Sequence, residues 1–428
     1  MSWAARAIAM VAMLLVAMLV SSCGDDTGAA ADPACEASEN ACVTVGIGEP
    51  IYLGTLLFAR DPEGRGTRNA IALALDYLDG AFDGRDGEVL GHRVDLINEV
   101  EDCTPAGGRA GARRLLTDAD IVAVIGTTCS AAAYRAAATV LSPRQVLLVS
   151  PTSTSPLLTS PEGRERYFFR TAANDVIVAG TMADFTRTRL RARTAATLAT
   201  GDPHSSALAD AFTTAFRSAG GRVVAQQSAA GSDTLRAARR IASQRPDAII
   251  IPASEPGCSR AVAAVRAQPG LSRTPILASG ACMTTSFPSR ARRDAHLYGA
   301  TLDGSGLRRN GFYRTEFLPA YRQRFGSAPS GVVTAPAFDA LNLVIAAIRR
   351  VAVPLPGGAL RINRSDLRAA MLDVDGYEGV SGDLACRASG DCVQSARVSV
   401  YRASSWPPAT GSPVFSGSRT LSEATNSG

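Results

Sequence analysis

The sequence predicts an α/β protein of two doubly wound, Rossmann-like lobes. Three observations carry that expectation. The 428 residues are 46% hydrophobic and 19% charged, a balance that fits packed cores and neither a disordered chain nor a polytopic membrane protein. At roughly 100–200 residues per domain, the length supplies two or three lobes. From about Val43 onward, short apolar strand runs alternate with amphipathic helical stretches in two successive blocks.

Taken in order, Val43 to Ile47 reads as a first strand and Thr67 to Leu78 as a helix with Ile71, Leu75 and Leu78 on one face. His92–Val100 alternates as a strand, and Gly107 to Thr117 is helical. Asp120 to Gly126 is an apolar run closed by glycine, the pattern of a parallel strand buried on both faces. A helix from Ser130 to Leu141 and a strand from Gln145 to Ser150 complete the first block. The second block places helices at 174–190, 206–219, 234–243 and 259–267 between strands at 194–200, 221–227, 247–252 and 275–279. A further strand at 297–302 and helices at 312–325 and 335–351 follow, the last with Pro336 in its first turn. The Ser-, Pro-, Gly- and Thr-rich end, 403–428, reads as a disordered tail.

The N-terminus addresses the compartment. Ala7 to Val20 is an uncharged apolar run of 14 residues, too short to cross about 30 Å of hydrocarbon and suited to a signal-peptide core. Small residues at Ser21 and Ser22 lead into Cys23, a pattern resembling a bacterial lipobox. Residues 1–23 are therefore expected to form a lipoprotein signal, with Cys23 lipidated and 24–42 a flexible tether. The other eight cysteines, Cys35, Cys42, Cys103, Cys129, Cys258, Cys282, Cys386 and Cys392, suit an oxidising compartment. Spacing alone leaves their pairing among 105 possibilities.

Several functions are disfavoured. The net charge of +5 is spread along the chain, every cation is arginine, and no basic run interleaves with aromatics, which argues against nucleic-acid binding. Three well-separated histidines and no Cys-x-x-Cys give no metal motif. No nucleophile elbow, phosphate-binding loop, dinucleotide fingerprint or zinc-protease motif occurs, so neither catalytic residues nor a cofactor are expected. Acidic pairs such as Glu101 and Asp102 read as solvated strand ends or caps.

The informative positions are strand exits, where open α/β sheets bind ligands. The strand ending at Gly126 leaves through Thr127, Thr128, Cys129 and Ser130 into a helix. The strand ending at Ser150 leaves through Pro151, Thr152, Ser153, Thr154, Ser155 and Pro156. Hydroxyls beside a helix N-terminus offer donors to a small anion.

Six segments, in order and spacing, resemble the branched-chain amino-acid-binding family of type I periplasmic receptors of ABC transporters, over about Val43 to Arg402. They are Glu101-Asp-Cys-Thr-Pro105, Val124-Ile-Gly-Thr-Thr-Cys-Ser130, Val149-Ser-Pro-Thr-Ser-Thr-Ser-Pro156, Phe168-Phe-Arg-Thr-Ala-Ala-Asn-Asp175, Ala337-Phe-Asp-Ala340 and Tyr377-Glu-Gly-Val-Ser-Gly382. The resemblance implies a Cys103–Cys129 disulfide and a ligand carboxylate held by Ser130, Ser153 and Thr154, with Asp175 retained at the entry to the second lobe. His204 stands where the family places a tyrosine, and Ser279-Gly-Ala-Cys-Met283 lacks the acid that meets an α-ammonium. Leucine is accordingly expected to bind poorly unless Glu255 reaches in. Repeating the Cys103–Cys129 arrangement in the second lobe pairs Cys258 with Cys282. Closeness in sequence pairs Cys35 with Cys42 and Cys386 with Cys392.

The expected organisation is lobe one from 43–172 plus 302–375 and lobe two from 173–301 plus 376–402, joined by a three-segment hinge. The expected function is a monomeric, lipid-anchored solute-binding protein on the periplasmic face of a bacterial envelope. It captures an amino acid or other small carboxylate and delivers it to an ABC permease. A lipoprotein that senses the ligand and signals to a membrane partner is the alternative.

Overall fold

The computed structural model describes Cys35 and residues 40–58, 60, 62–117, 120–284, 286–329, 331–406 and 411–425. The signal segment, Cys23 and most of the expected tether lie outside these.

Lobe one is built on a six-stranded sheet. Its strands are β2 (Ile51–Leu57), β3 (Glu88–Val89), β4 (His92–Val100), β5 (Ala123–Gly126), β6 (Leu147–Ser150) and β7 (Phe168–Arg170), in the order β3-β4-β2-β5-β6-β7. All neighbours are parallel except β3 with β4. The central strands β5 and β6 are buried throughout, as their continuous apolar runs require. Helices α1 (Pro62–Asp76), α2 (Pro105–Leu115) and α3 (Ser130–Ala136) cover the two faces. The chain order reverses between β2 and β5, which marks a topological switch point.

Lobe two repeats this plan. Strands β8 (Thr194–Ala199), β9 (Arg222–Ser228), β10 (Ala248–Ile251), β11 (Ile276–Ser279) and β12 (Leu297–Leu302) run parallel in the order β9-β8-β10-β11-β12. Helices α4 (Asp175–Thr188), α5 (Pro203–Ser218), α6 (Asp233–Ser243) and α7 (Gly257–Arg266) sandwich the sheet. Its switch point falls between β8 and β10.

After β12 the chain returns to lobe one. There α8 (Thr334–Val351) packs on α1, and α9 (Arg364–Leu372) adds Leu367 and Met371 to the same core. The expected first strand is not part of the main sheet. β1 (Cys42–Val45) instead pairs antiparallel with β14 (Leu360–Asn363), which also pairs with the two-residue β13 (Val353–Pro354). The true first strand of the sheet is β2.

Two expected boundaries are corrected. Residues 376–392 belong to lobe one, because Val380, Leu384, Cys386 and Cys392 are buried in its main core. The Asp339 carboxylate of α8 also accepts hydrogen bonds from the Val380 and Ser381 N–H groups, both at 2.8 Å. The chain re-enters lobe two only at β15 (Ser395–Arg402), antiparallel to β12. The expected disordered tail is likewise structured at 411–425. β16 (Phe415–Thr420) zips antiparallel onto β15, Arg419 forks onto Asp184 at 2.8–3.0 Å, and Leu421 is buried. Composition misled there because the strand's stability comes from pairing to an open sheet edge, not from its own apolar content.

Four disulfides join Cys35 to Cys42, Cys103 to Cys129, Cys258 to Cys282 and Cys386 to Cys392.

Candidate functional site

The exit of β5 is held by tight local chemistry. Gly126 has φ +146°, and a Cβ there would lie 2.3 Å from the Leu56 carbonyl oxygen, so only glycine fits. Thr104 caps α2 by accepting the Gly107 N–H at 3.0 Å, with Pro105 in the first turn. Gly108 then lets α2 approach α3 closely, since a Cβ would fall 2.3 Å from the Ala132 carbonyl oxygen. The Cys103–Cys129 disulfide fastens the entries of these two helices.

Glu101, read from sequence as a solvated end, is buried beneath this exit. Its carboxylate accepts the Cys129 N–H at 3.1 Å and the Cys103 N–H. Burial pushes its pKa above the usual carboxylate range, opposed by the backbone N–H groups of Cys103, Cys129 and Thr128. It therefore ties the N–H groups at the entries of α2 and α3, that of Cys129 directly before Ser130.

Most of the hydroxyls in the second exit fold the loop onto itself. Ser150 and Thr152 donate to the Thr127 carbonyl at 2.9 and 3.0 Å, and Thr152 also reaches that of Thr128 at 2.8 Å. Ser153 is fully buried. Its N–H donates to the Ser150 hydroxyl at 3.0 Å and its own hydroxyl meets Thr127 at 3.3 Å. Ser153, an expected ligand contact, has its hydroxyl turned into the loop, and Ser155 is the serine of this exit that lines the cleft. The loop rests on Arg170, whose side chain is 0% exposed. Its guanidinium donates to Asp391 at 2.7 Å, to the Ser153 and Ser155 carbonyls at 3.1 and 2.8 Å, and to the Thr159 hydroxyl at 2.6 Å. Sequence reasoning missed this role; Arg170 stood only within the quoted Phe168–Asp175 segment.

Across the cleft, β8 exits into α5. Asp202 caps that helix by accepting the Ser205 N–H at 2.8 Å, and Pro203 occupies its first position, leaving His204 at the lobe-two switch point. Asn174 caps α4 by accepting the Val176 N–H at 3.1 Å, which sets Asp175 at that helix's first residue. His204 Nε2 lies 2.7 Å from Asp175 Oδ2, and the same oxygen accepts the Thr154 hydroxyl at 2.8 Å. Thr154, Asp175 and His204 therefore form one chain spanning both lobes. Burial lowers the imidazole pKa, but the hydrogen bond and charge of Asp175, with Asp202 adding, outweigh it and leave the pKa raised.

These elements border a cleft that is partly open to solvent. Ser130, Tyr134, Ser155 and Leu157 line it from lobe one, and Pro203 and His204 from lobe two. The turn at Pro156–Leu158 packs against α5, so the lobes touch beside it. Of the expected ligand residues, Ser130 and His204 line the cleft, while Thr154 and Asp175 support His204 from behind. Glu255 does not reach in. Its carboxylate accepts the N–H and hydroxyl of Ser259 at 3.1 and 2.8 Å, closing the first turn of α7. Two groups of one glutamate and two cysteines, around Glu101 and Glu255, have metal-like spacing, but their sulfurs are joined in disulfides and offer no thiolate.

Two doubly wound lobes whose switch points face a shared cleft define the type I periplasmic binding fold. The periplasmic binding protein family matches residues 58–404, and the chain belongs to that family. In structure it is similar to a leucine-binding protein of Thermotoga maritima (21% identity, TM-score 0.69, covering 87% of this chain and 99% of that one). It is similar also to a branched-chain amino-acid transporter substrate-binding protein of Streptococcus pneumoniae, solved with isoleucine (18% identity, TM-score 0.65, 87% and 99%). A third relative, an ABC transporter solute-binding protein of R. palustris, was solved with benzoate (16% identity, TM-score 0.64, 87% and 97%). No curated protein matches the chain by sequence.

Proposed function

We propose that the protein captures a small carboxylate-bearing solute between its lobes and delivers it to an ABC transporter without catalysing a reaction. It would act from the periplasmic face of the envelope as a monomer anchored through lipid on Cys23. The observation that carries the reading is a cleft that brings the Ser130 and Ser155 hydroxyls of lobe one against His204 of lobe two, at both switch points. The solutes named for the relatives, leucine, isoleucine and benzoate, share a carboxylate. Contacts from both lobes favour the closed form over the open one, so binding drives closure.

Hydrogen bonds to a charged group contribute about 1.5–3 kcal/mol each. Ser130→Ala should therefore weaken solute binding about tenfold to a hundredfold while the far-UV circular dichroism stays unchanged. Titration calorimetry against small carboxylates checks this. Equal affinity in the wild type and Ser130→Ala would refute the placement of the site.

A further inference from the structure

Within that reading, on which this step rests, we infer that the Thr154–Asp175–His204 chain is a proton-loaded carboxylate receptor. It selects monocarboxylates with an apolar body and no α-ammonium, and takes up a proton as they bind.

The geometry supplies each part. Of the residues lining the cleft, His204 alone can carry charge near neutral pH; the remainder are hydroxyl, phenol or apolar groups. No carboxylate lines it among the described residues. His204 Nε2 is committed to Asp175, and no hydrogen-bond partner reaches Nδ1 among the described residues. In the neutral ring Nδ1 is an acceptor, which suits an ammonium or hydroxyl donor. In the imidazolium it becomes a donor, which suits a carboxylate. A carboxylate in the cleft thus favours the protonated ring, so binding and protonation are linked and each strengthens the other. Thr154 makes the device sensitive to closure, because its hydroxyl holds the Asp175 oxygen from the opposite lobe at 2.8 Å.

The groups facing the ring have the required signs. Asp175 at the start of α4 and Asp202 before α5 favour the cation, Arg170 at the end of β7 opposes it, and Tyr134 of α3 faces the cleft uncharged. The raised imidazole pKa agrees with this balance. An amino acid gains nothing here. Its ammonium meets an imidazolium, and the acids nearest the second-lobe exits are taken, Glu255 by Ser259 and Asp175 by His204 and Thr154.

The test is calorimetry on the full mature chain with benzoate, 4-methylpentanoate (the leucine skeleton without its amine) and leucine, from pH 5.5 to 8.5. Two buffers of different ionisation enthalpy count protons. One or both of the first two should bind with net proton uptake, with affinity falling up to tenfold per pH unit above the imidazole pKa, and leucine should bind at least a hundredfold more weakly. His204→Gln should cost tenfold or more at pH 6 and flatten the pH profile. Asp175→Asn should displace the profile to lower pH, which a purely structural role would not do. The three histidines make the His204 ring assignable by NMR, so its titration in each variant can be followed directly. Carboxylate binding without proton uptake and unchanged in His204→Gln, or leucine as the tightest ligand, overturns this inference and leaves the receptor reading standing. Failure of all three probes to bind overturns both.

Discussion

Replacing Arg170 by methionine tests whether the cleft loop stands on a buried ion pair. The Arg170 and Asp391 side chains are 0% and 4% exposed, and the guanidinium donates to four groups: a carboxylate, two carbonyls and a hydroxyl. Methionine matches much of the stem and supplies none of these. Asp391 keeps the Ser389 hydroxyl at 2.9 Å and the Asn174 amide at 3.3 Å but loses its cation. Breaking a buried pair from one side costs about 3–5 kcal/mol. The Ser153 carbonyl, left unsatisfied, adds about 1–3 kcal/mol, offset in part as the 153–159 loop shifts to reach water, whereas the Ser155 carbonyl keeps the Leu158 N–H at 3.3 Å. A net loss of about 5 kcal/mol is a large part of the roughly 5–15 kcal/mol that holds a native protein. Urea unfolding of Arg170→Met, Asp391→Leu and the double variant supplies the cycle. The double variant should be more stable than Arg170→Met alone, because it no longer buries an unpaired carboxylate, and the coupling should reach about 2 kcal/mol or more. A loss below about 1 kcal/mol in Arg170→Met, or additive single effects, would refute the brace.

Three further outcomes follow from particular groups. Burial raises Asp339 from 3.8 to about 6 against the hydrogen bonds of Ser381 and Val380, so the native state holds an extra proton between those values. Its stabilising contribution is complete below pH 4 and lost as pH rises through 6, a change of about 3 kcal/mol. The stability difference between wild type and Asp339→Asn, measured by denaturation from pH 4 to 7, should show this slope, and a flat difference would contradict it. Opening the Cys103–Cys129 loop, whose separation is 26 residues, by Cys103→Ser with Cys129→Ser should cost about 3–4 kcal/mol by loop-closure entropy, and an unchanged urea midpoint would count against it. Cys23→Ser should move the protein from the membrane fraction to the soluble fraction, whereas unchanged partitioning would reject the lipid anchor.

The β-α rhythm was legible because each buried parallel strand writes a continuous apolar run, as in Ala123–Gly126 and Leu147–Ser150. β2 was overlooked because Gly54 interrupts it. That glycine is needed where a Cβ would lie 3.1–3.2 Å from Val124 and Leu115 side chains, a reason visible only after packing. In the candidate site, Ser130 was legible from its place at a strand exit leading into a helix, whereas His204 was singled out only because it stands where the resembling family has a tyrosine. Ser153 could not be separated from Ser155, since direction in an irregular loop depends on which hydroxyl the Thr127 carbonyl captures. Arg170 was hidden for a different reason: its partner Asp391 lies 221 residues away, beyond any local pattern.

The two lobes share one strand order, and each locks a pair of strand exits with a disulfide beside a glutamate. In both, that glutamate is turned towards backbone N–H groups, Glu101 towards Cys103 and Cys129 and Glu255 towards Ser259. Asp175, the acid bonded to the cleft-lining histidine, is likewise engaged, by His204 and the Thr154 hydroxyl. What remains on the lining is hydroxyl from one lobe and imidazole from the other, set among Leu157, Pro203 and the Tyr134 ring. An unpaired ammonium buried there would be costly, whereas a carboxylate finds donors on both sides and an apolar body finds apolar walls. On the proposed reading, selectivity in this cleft would arise as much from where the carboxylates have been committed as from the groups that would touch the solute.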